Sequence, residues 1–384
     1  MFIRQRQSFH SFPSQMASLN QLLAHVHHQI KGKVPQVDRI SFTLYDAHLD
    51  LLRTYAESDT AGNTLSHHEY PFSECRSLQE CARKNLYRVI NDIATTVNSN
   101  RHHSRWLMEQ GYLSSFTVPT YHHNQFIGFI NFNSHQSHVF SPQVQHELMP
   151  FCEQINFTIN SEYSLMHSIL TSAELTRDIY PGAQSDSNEH ILRVSLYAKL
   201  IALEVSDLYE LDDETIEHIH LFSRLHDIGK IELPDALLLK PAPLSAQERK
   251  VMESHVDKGV MIINKILHNL GSPDHPCIQI LKEIMSYHHE FLDGSGYPNK
   301  VSHTDVPISA RIVAVANIFD ALTSHRPYAQ AWCVTSALLE LEKMVADGKL
   351  DGNCVNVLRE HQGYITQVLE QHPEHDPREN ITHH

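Results

Sequence analysis

The second half of the chain carries metal-ligand residue types in four separated segments: His190, then His226-Asp227, then His255, then His288-His289, closing on the loop Asp293-Gly-Ser-Gly-Tyr297-Pro298. Imidazoles and carboxylates spread this far apart meet only if a scaffold folds them onto one point. That requirement points to a helical scaffold with inward-facing ligands, and to a multinuclear metallohydrolase. Histidine abundance by itself carries no such weight, because the chain has 31 histidines against 30 Lys plus Arg. The His-His pairs at 27–28, 67–68, 102–103, 122–123 and 383–384 stand in segments without companion ligands. The pair at 288–289 differs: Glu290, Asp293 and a Gly-x-Gly turn follow it, and that turn lets backbone approach a ligand without a Cβ clash.

Length and composition bound the rest. A chain of 384 residues is too long for one typical core, so two domains of roughly 150–200 residues are expected. A hydrophobic content of 41% with 20% charged residues reads as ordinary globular protein. The net charge of −15 argues against a nucleic-acid polymer as partner, since such binding needs a basic face that releases counterions. The six cysteines, at 75, 81, 152, 277, 333 and 354, form no Cys-x-x-Cys pair, and no signal peptide is evident, so a cytoplasmic location is expected. No apolar run approaches the ~18–20 residues needed to span a bilayer, so no direct membrane role is expected.

Residues 39–56 read as two short strands around the Asp46-Ala-His48 turn, and 112–119 with 125–133 as a second pair. Segments near 18–30, 76–97 and 142–160 read as helices, which together make an α+β domain. From Phe151 the positions Ile155, Ile159, Tyr163, Met166, Leu170 and Ala173 recur at three- and four-residue steps, a long amphipathic stripe that Pro181-Gly182 stops. Such a stripe serves either a helix packed on its own domain or a signalling helix paired with its copy in a homodimer. Beyond 185 the pattern is almost wholly helical: 188–206, 213–227, 245–269, 276–290, 307–322 and 334–347. Gly229 is expected to end the helix that carries His226-Asp227.

Two resemblances follow. Gly111-Tyr112-Leu-Ser-Ser-Phe-Thr-Val-Pro119 with the Gly128-Phe-Ile-Asn-Phe strand resembles a GAF domain, over 15–160. Residues 185–345 resemble the HD-GYP subfamily of the HD phosphohydrolases. The motifs are His226-Asp227-Ile-Gly229-Lys230-Ile, His288-His289-Glu290, Asp293-Gly-Ser-Gly-Tyr-Pro298, Ala310-Arg311-Ile312, and Phe319-Asp320-Ala-Leu-Thr323 with Arg326-Pro-Tyr328. The expected architecture is therefore an α+β GAF-like sensor domain over 15–160, a connecting signalling helix over 151–181, an all-α HD-type helical bundle over 185–360, and a polar His-rich tail over 361–384.

The HD-GYP resemblance implies a phosphodiesterase with two or three divalent metal ions that hydrolyses cyclic di-GMP to pGpG and onward to GMP, with another cyclic dinucleotide such as cyclic GMP-AMP as the alternative. The implied metal ligands are Asp186, His190, His226, Asp227, His255, His288, His289 and the position of Asn317, with Asp227 bridging. Imidazole plus carboxylate with no thiolate suits Fe or Mn better than a closed structural Zn site. Lys230 is placed to neutralise phosphoryl charge or protonate a leaving oxygen. Tyr297, Asp320 and Arg326 are the implied substrate grip, with Arg311 and Lys300 as further candidates. The implied partners are the cyclic dinucleotide, an unknown small-molecule or protein signal at the GAF-like domain, and a second copy of the chain.

Two positions depart from the family pattern. Asn317 stands where an aspartate ligand is usual, and amide oxygen gives up a full charge toward a hard cation. Ala329 stands where a basic residue is common. Both departures favour the rival expectation of a degenerate HD-GYP module that binds without turning over.

Overall fold

The structure, a computed structural model, describes residues 18–47, 50–58, 69–96, 102–179, 187–240, 242–324 and 331–373. Its N-terminal half is an antiparallel six-stranded sheet in the order β3-β2-β1-β6-β5-β4. The strands are β1 (Arg39–Asp46), β2 (Leu51–Glu57), β3 (Glu69–Pro71), β4 (Arg88–Ile90), β5 (Ser114–His122) and β6 (Gln125–Ser134). Five helices surround it: α1 (Leu19–Lys31), α2 (Arg76–Lys84), α3 (Ile93–Thr96), α4 (His102–Glu109) and α5 (Pro142–Ile179). Alternation along the strands puts Ile40, Phe42, Phe116, Val118, Ile130 and Phe132 on one face, buried in a core shared with α1 and α5. β1 and β6 approach closely at Gly128, where a Cβ would lie 2.1 Å from the Thr43 carbonyl oxygen. The sequence reading placed one helix over 76–97; the structure divides it into α2, β4 and α3, because Asn85 takes a left-handed conformation that ends α2.

Helix α5 carries the amphipathic stripe through 38 residues. Leu148, Cys152, Ile155, Ile159, Glu162, Met166, Ile169 and Ala173 are its buried positions, spaced by four and three. Tyr163 and Leu170 flank this seam, packed against the core and only half-buried. The seam is covered within one chain.

The C-terminal half is all helical: α6 (Asn188–Glu204), α7 (Ser206–Tyr209), α8 (Asp213–Phe222), α9 (Asp235–Leu238), α10 (Ala246–Glu253), α11 (His255–Asn269), α12 (Pro276–Tyr287), α13 (Ile308–Thr323), α14 (Val334–Ala346), α15 (Gly352–Glu360) and α16 (Gln362–Gln371). Three boundaries differ from the sequence reading. The helix expected over 245–269 breaks at Ser254, so His255 begins a helix of its own. The helix expected to carry His226-Asp227 stops at Phe222, and the pair lies between two 3-10 turns, Ser223–Leu225 and Ile228–Glu232. Of the polar tail expected over 361–384, Gln362–Gln371 form α16, with Ile365 and Val368 buried; residues 374–384 lie outside the described residues, as do Pro181 and Gly182. No described helix is long and apolar enough to cross a membrane.

The halves meet through buried polar contacts. Glu162 of α5 accepts from the Tyr55 hydroxyl of β2, and His218 Nε2 of α8 lies 3.1 Å from the same oxygen. Glu214 accepts from the backbone N–H groups of Leu19 and Asn20 at the start of α1. Arg53 pairs with Glu217 at 3.3 Å.

Candidate metal centre

Histidines 190, 226, 255 and 288, though far apart in sequence, are all buried around Asp227. His190 sits in the first turn of α6, whose cap is the Ser187 side chain accepting from the His190 N–H. His226 and Asp227 lie in the irregular turn after α8, His255 starts α11, and His288 ends α12. Gly229 explains how the turn reaches α11. A Cβ there would stand 1.9 Å from the His255 carbonyl oxygen and 2.4 Å from the Gly259 nitrogen, so only glycine permits this approach. Its role is close packing, rather than the helix-ending role the sequence suggested.

Ring tautomers identify the ligand atoms. The Nδ1 of His226 is 2.7 Å from the Ser223 carbonyl oxygen, that of His255 is 2.7 Å from Met252, and that of His288 is 2.9 Å from Ile284. Each Nδ1–H therefore donates to backbone, and each Nε2 carries a lone pair. Those three Nε2 atoms and Asp227 Oδ1 are buried without a hydrogen-bond partner. Yet His255 Nε2 lies 3.0 Å and His288 Nε2 3.7 Å from Asp227 Oδ1, and His226 Nε2 lies 3.0 Å from Asp227 Oδ2. Lone pairs directed at a carboxylate repel unless a proton or a cation stands between. Burial opposes protonation, holding His288 down to about 4 and His289 well below the usual histidine range. Asp227 stays ionised although burial would raise it, because the Lys230 ammonium beside it helps to hold it well below the carboxylate range.

Two ligand sets meet at Asp227, each with one atom per residue within 4.8 Å of the others: Asp227, His255, His288 and His289, and His190, His226 and Asp227; a third group, Glu162, Glu214 and His218, lies apart from them. Asp227 belongs to both, the position a bridging carboxylate takes. All-imidazole and carboxylate sets of this kind fit divalent cations of the first transition row.

The remaining expected residues fall in several places. Lys230 Nζ is 2.7 Å from Asp227 Oδ2. Tyr297 stacks on His289 with ring centroids 4.6 Å apart. Asn317 is buried on α13 one turn before Asp320, hence on the face that reaches His190. Asp320 is not at the substrate surface: it is fully buried, 2.7 Å from His190 Nδ1 and doubly bonded to the Arg193 guanidinium. It fixes the His190 ring so that Nε2 faces the centre. Arg311 is committed elsewhere too, donating to the carbonyls of Val306 and His303. Lys300 is exposed on the loop, and its backbone N–H donates to Glu290. Asp186 and Arg326 lie outside the described residues. Sequence reasoning missed Arg193, whose signal was its position three residues after His190 on the same helical face.

Residues 183–354 match the family model described as HD domain. This region is an HD domain. Among curated relatives, this chain is 39% identical over 195 residues to the 3'3'-cGAMP-specific phosphodiesterase 2 of Vibrio cholerae, covering 50% of this chain and 35% of that one. It is 38% identical over 180 residues to the cyclic di-GMP phosphodiesterase response regulator RpfG of Xanthomonas campestris, covering 47% and 44%. A cyclic di-GMP phosphodiesterase of Thermotoga maritima is 34% identical over 196 residues, covering 51% and 50%. The chain thus spans half the length of these relatives or less. Ahead of the HD domain, a phycocyanobilin-bound GAF domain from a cyanobacterial phytochrome aligns at 14% identity and TM-score 0.31, covering 37% of this chain and 85% of that one. The GAF domain of a Bacillus halodurans sensor histidine kinase aligns at 18% and 0.31, covering 38% and 97%.

Proposed function

We propose that the protein is a metal-dependent phosphodiesterase that opens cyclic di-GMP to pGpG, acting in the cytoplasm under control of its N-terminal domain. The observation that carries this reading is the set of orphaned ligand atoms around Asp227, each histidine held in the metal-binding tautomer by a backbone carbonyl. The names printed for the relatives, cyclic di-GMP and 3'3'-cGAMP phosphodiesterases, support the substrate class.

Two or three divalent ions, Fe or Mn, would activate water and stabilise charge on the phosphoryl oxygens. His190, His226, Asp227, His255, His288 and His289 would hold them, with Asp186 and Asn317 as further ligands. Lys230 resides against Asp227, keeping that carboxylate ionised and a positive charge beside the phosphoryl site. Tyr297 offers a ring face and a hydroxyl on the Gly-Ser-Gly loop, and Arg326 supplies a guanidinium suited to phosphate. Cyclic GMP-AMP is the alternative substrate, supported by the 39% identical relative. A binding module without turnover is favoured only by Asn317 and Ala329.

The test is anaerobic purification with metal quantification, then chromatography of products from cyclic di-GMP and cyclic GMP-AMP. Wild type should release linear dinucleotide, and Asp227→Ala should lose metal and turnover together. Full metal and rate in Asp227→Ala would remove the basis of the reading.

A further inference from the structure

The third ligand group, Glu162, Glu214 and His218, sits where the two halves of the chain meet, with one atom of each residue within 4.8 Å of the others. Glu162 comes from α5, while Glu214 and His218 are four residues apart on α8 and so share one face of that helix. All three are at most 2% exposed. Two carboxylates brought this close in the interior repel each other, and burial adds the cost of stripping their water. The ion pairs of Glu162 run to imidazoles, His218 Nε2 at 3.1 Å and His275 Nε2 at 3.8 Å, whereas the nearby Arg53 pairs with Asp46 and Glu217.

The lone pairs at this joint show what can answer the two carboxylates. Oε1 of Glu162 accepts from the Tyr55 hydroxyl, and His218 Nε2 lies 3.1 Å from both of those oxygens, so in the neutral ring Nε2 bears the proton and Nδ1 a lone pair. Among the described residues, that Nδ1 and the Oε2 of Glu162 are both buried without a hydrogen-bond partner. Each oxygen of Glu214 accepts one backbone N–H, from Leu19 and from Asn20, which leaves each with a second lone pair. Burial raises Glu214 well above the usual carboxylate range and the charge of Glu162 adds to it, so Glu214 holds a proton until a cation takes its place and releases it to solvent.

We propose that Glu162, Glu214 and His218 bind one divalent cation, in a site separate from the Asp227 centre that clamps α5 to α8. Two carboxylates and one imidazole make an oxygen-rich ligand set, which suits Mn²⁺. Bonds of about 2.0–2.6 Å to hard divalent cations put opposed ligand atoms about 4–5 Å apart, and the three residues already stand within that span. The two positive charges of the ion cancel the two carboxylates. Glu214 also holds the start of α1, so an ion here fixes α1, α5 and α8 together. Binding is independent of hydrolysis.

Full-length Asp227→Ala protein, stripped with chelator, separates this site from the Asp227 centre. Titrated with Mn²⁺, it should remove the sharp paramagnetic resonance spectrum of the free aqueous ion up to one ion per chain. Its melting temperature should rise by about 3 °C or more once Mn²⁺ is in about hundredfold excess over the dissociation constant. Glu214→Gln and His218→Gln, each added to that background, should weaken uptake by at least about tenfold and abolish the melting shift. Their melting transitions in chelator show that they fold, and should one fail to fold the other carries the comparison. Surface histidines cannot imitate this pattern, since replacing a buried glutamate leaves them untouched. No tightly held ion in Asp227→Ala, uptake undiminished in the added variants, or uptake without a melting shift would each overturn the proposal. An ion held here in protein that hydrolyses no cyclic dinucleotide would leave this site standing while the enzymatic reading fails; wild-type turnover with no ion taken up here would do the reverse.

Discussion

Asn317 tests how much one atom matters in a cluster of hard-cation ligands. It lies on the face of α13 that also carries Asp320 to His190, so its amide is placed toward the His190 side of the centre. Asn317→Asp exchanges a neutral oxygen for an anionic one at the same length, and hard cations bind carboxylate more strongly. Metal titration with Mn or Fe should show higher occupancy of one ion, with turnover rising in step; identical occupancy in wild type, Asn317→Asp and Asn317→Ala would place the side chain outside the ligand sphere. Lys230→Ala should act differently. It removes the ammonium beside Asp227, so turnover should fall by a factor of about ten or more while measured metal content changes little. Most of the residues that gather at Asp227 were legible because imidazole and carboxylate announce their chemistry by residue type. Asp320 was misjudged for the same reason: a carboxylate reads alike in sequence whether it grips a substrate or steadies a histidine, and only burial against Arg193 separates the two.

Among the secondary-structure elements, the turn between α8 and α9 decides whether the centre assembles. Gly229→Ala places a methyl group inside contact distance of the His255 carbonyl and the Gly259 nitrogen, both backbone atoms that cannot swing aside. The start of α11 must then move, carrying His255 with it, and a loss of about 3 kcal/mol or more is expected, together with lost metal. Chemical unfolding with metal quantification checks both; a variant with wild-type midpoint and metal content would show that the turn relaxes freely. Helix α8 supplies a second expectation, in pH. His220 is buried, its Nδ1 2.9 Å from the Ser195 carbonyl oxygen, and burial holds its pKa down to about 4 despite the opposing pull of Glu217. In the unfolded chain it titrates near 6.5, so acid favours unfolding: its contribution is complete above that value and is lost as pH falls toward 4, by roughly 3 kcal/mol over the window. His220→Gln should therefore show a shallower loss of urea midpoint between about pH 7 and 4.5 than wild type, and parallel curves would rule the group out as a source. The helix pattern itself was readable from periodicity, whereas the break at Ser254 and the end of α8 were not. Both are set by where tertiary contacts need a ligand to point, which local periodicity does not encode.

The two halves of the chain are joined at Glu162, the one charged residue in the buried seam of α5. Its neighbours come from three other elements: the Tyr55 hydroxyl from β2, His218 from α8, and His275 at the start of α12, with Nε2 3.8 Å from Oε2. The His275 tautomer follows from its cap role. Nδ1 accepts from the Cys277 N–H, so in the neutral ring Nε2 bears the proton and presents it toward the carboxylate. A charge held by donors from both halves of the chain ties the N-terminal sheet to the HD domain more specifically than apolar contact could, since displacing any one donor leaves a buried carboxylate short of a partner. The amphipathic stripe foretold α5 but not this joint, because periodicity marks where a residue faces and not which partners arrive there. Tyr55→Phe and Glu162→Gln should each lower stability by about 1–3 kcal/mol, and because the first removes and the second weakens the same hydrogen bond by exchanging a charged acceptor for a neutral one, the double variant should cost less than their sum by about 0.5 kcal/mol or more. Turnover that depends on the Asp227 centre should keep its metal requirement in all three, since none of these side chains belongs to the Asp227 ligand sets. A double-mutant cycle in urea, read separately through Trp106 in the sheet domain and Trp332 in the helical domain, decides the matter. Strict additivity would mean that the hydroxyl and the carboxylate act independently, so that Tyr55 adds nothing to the joint that Glu162 makes with His218 and His275.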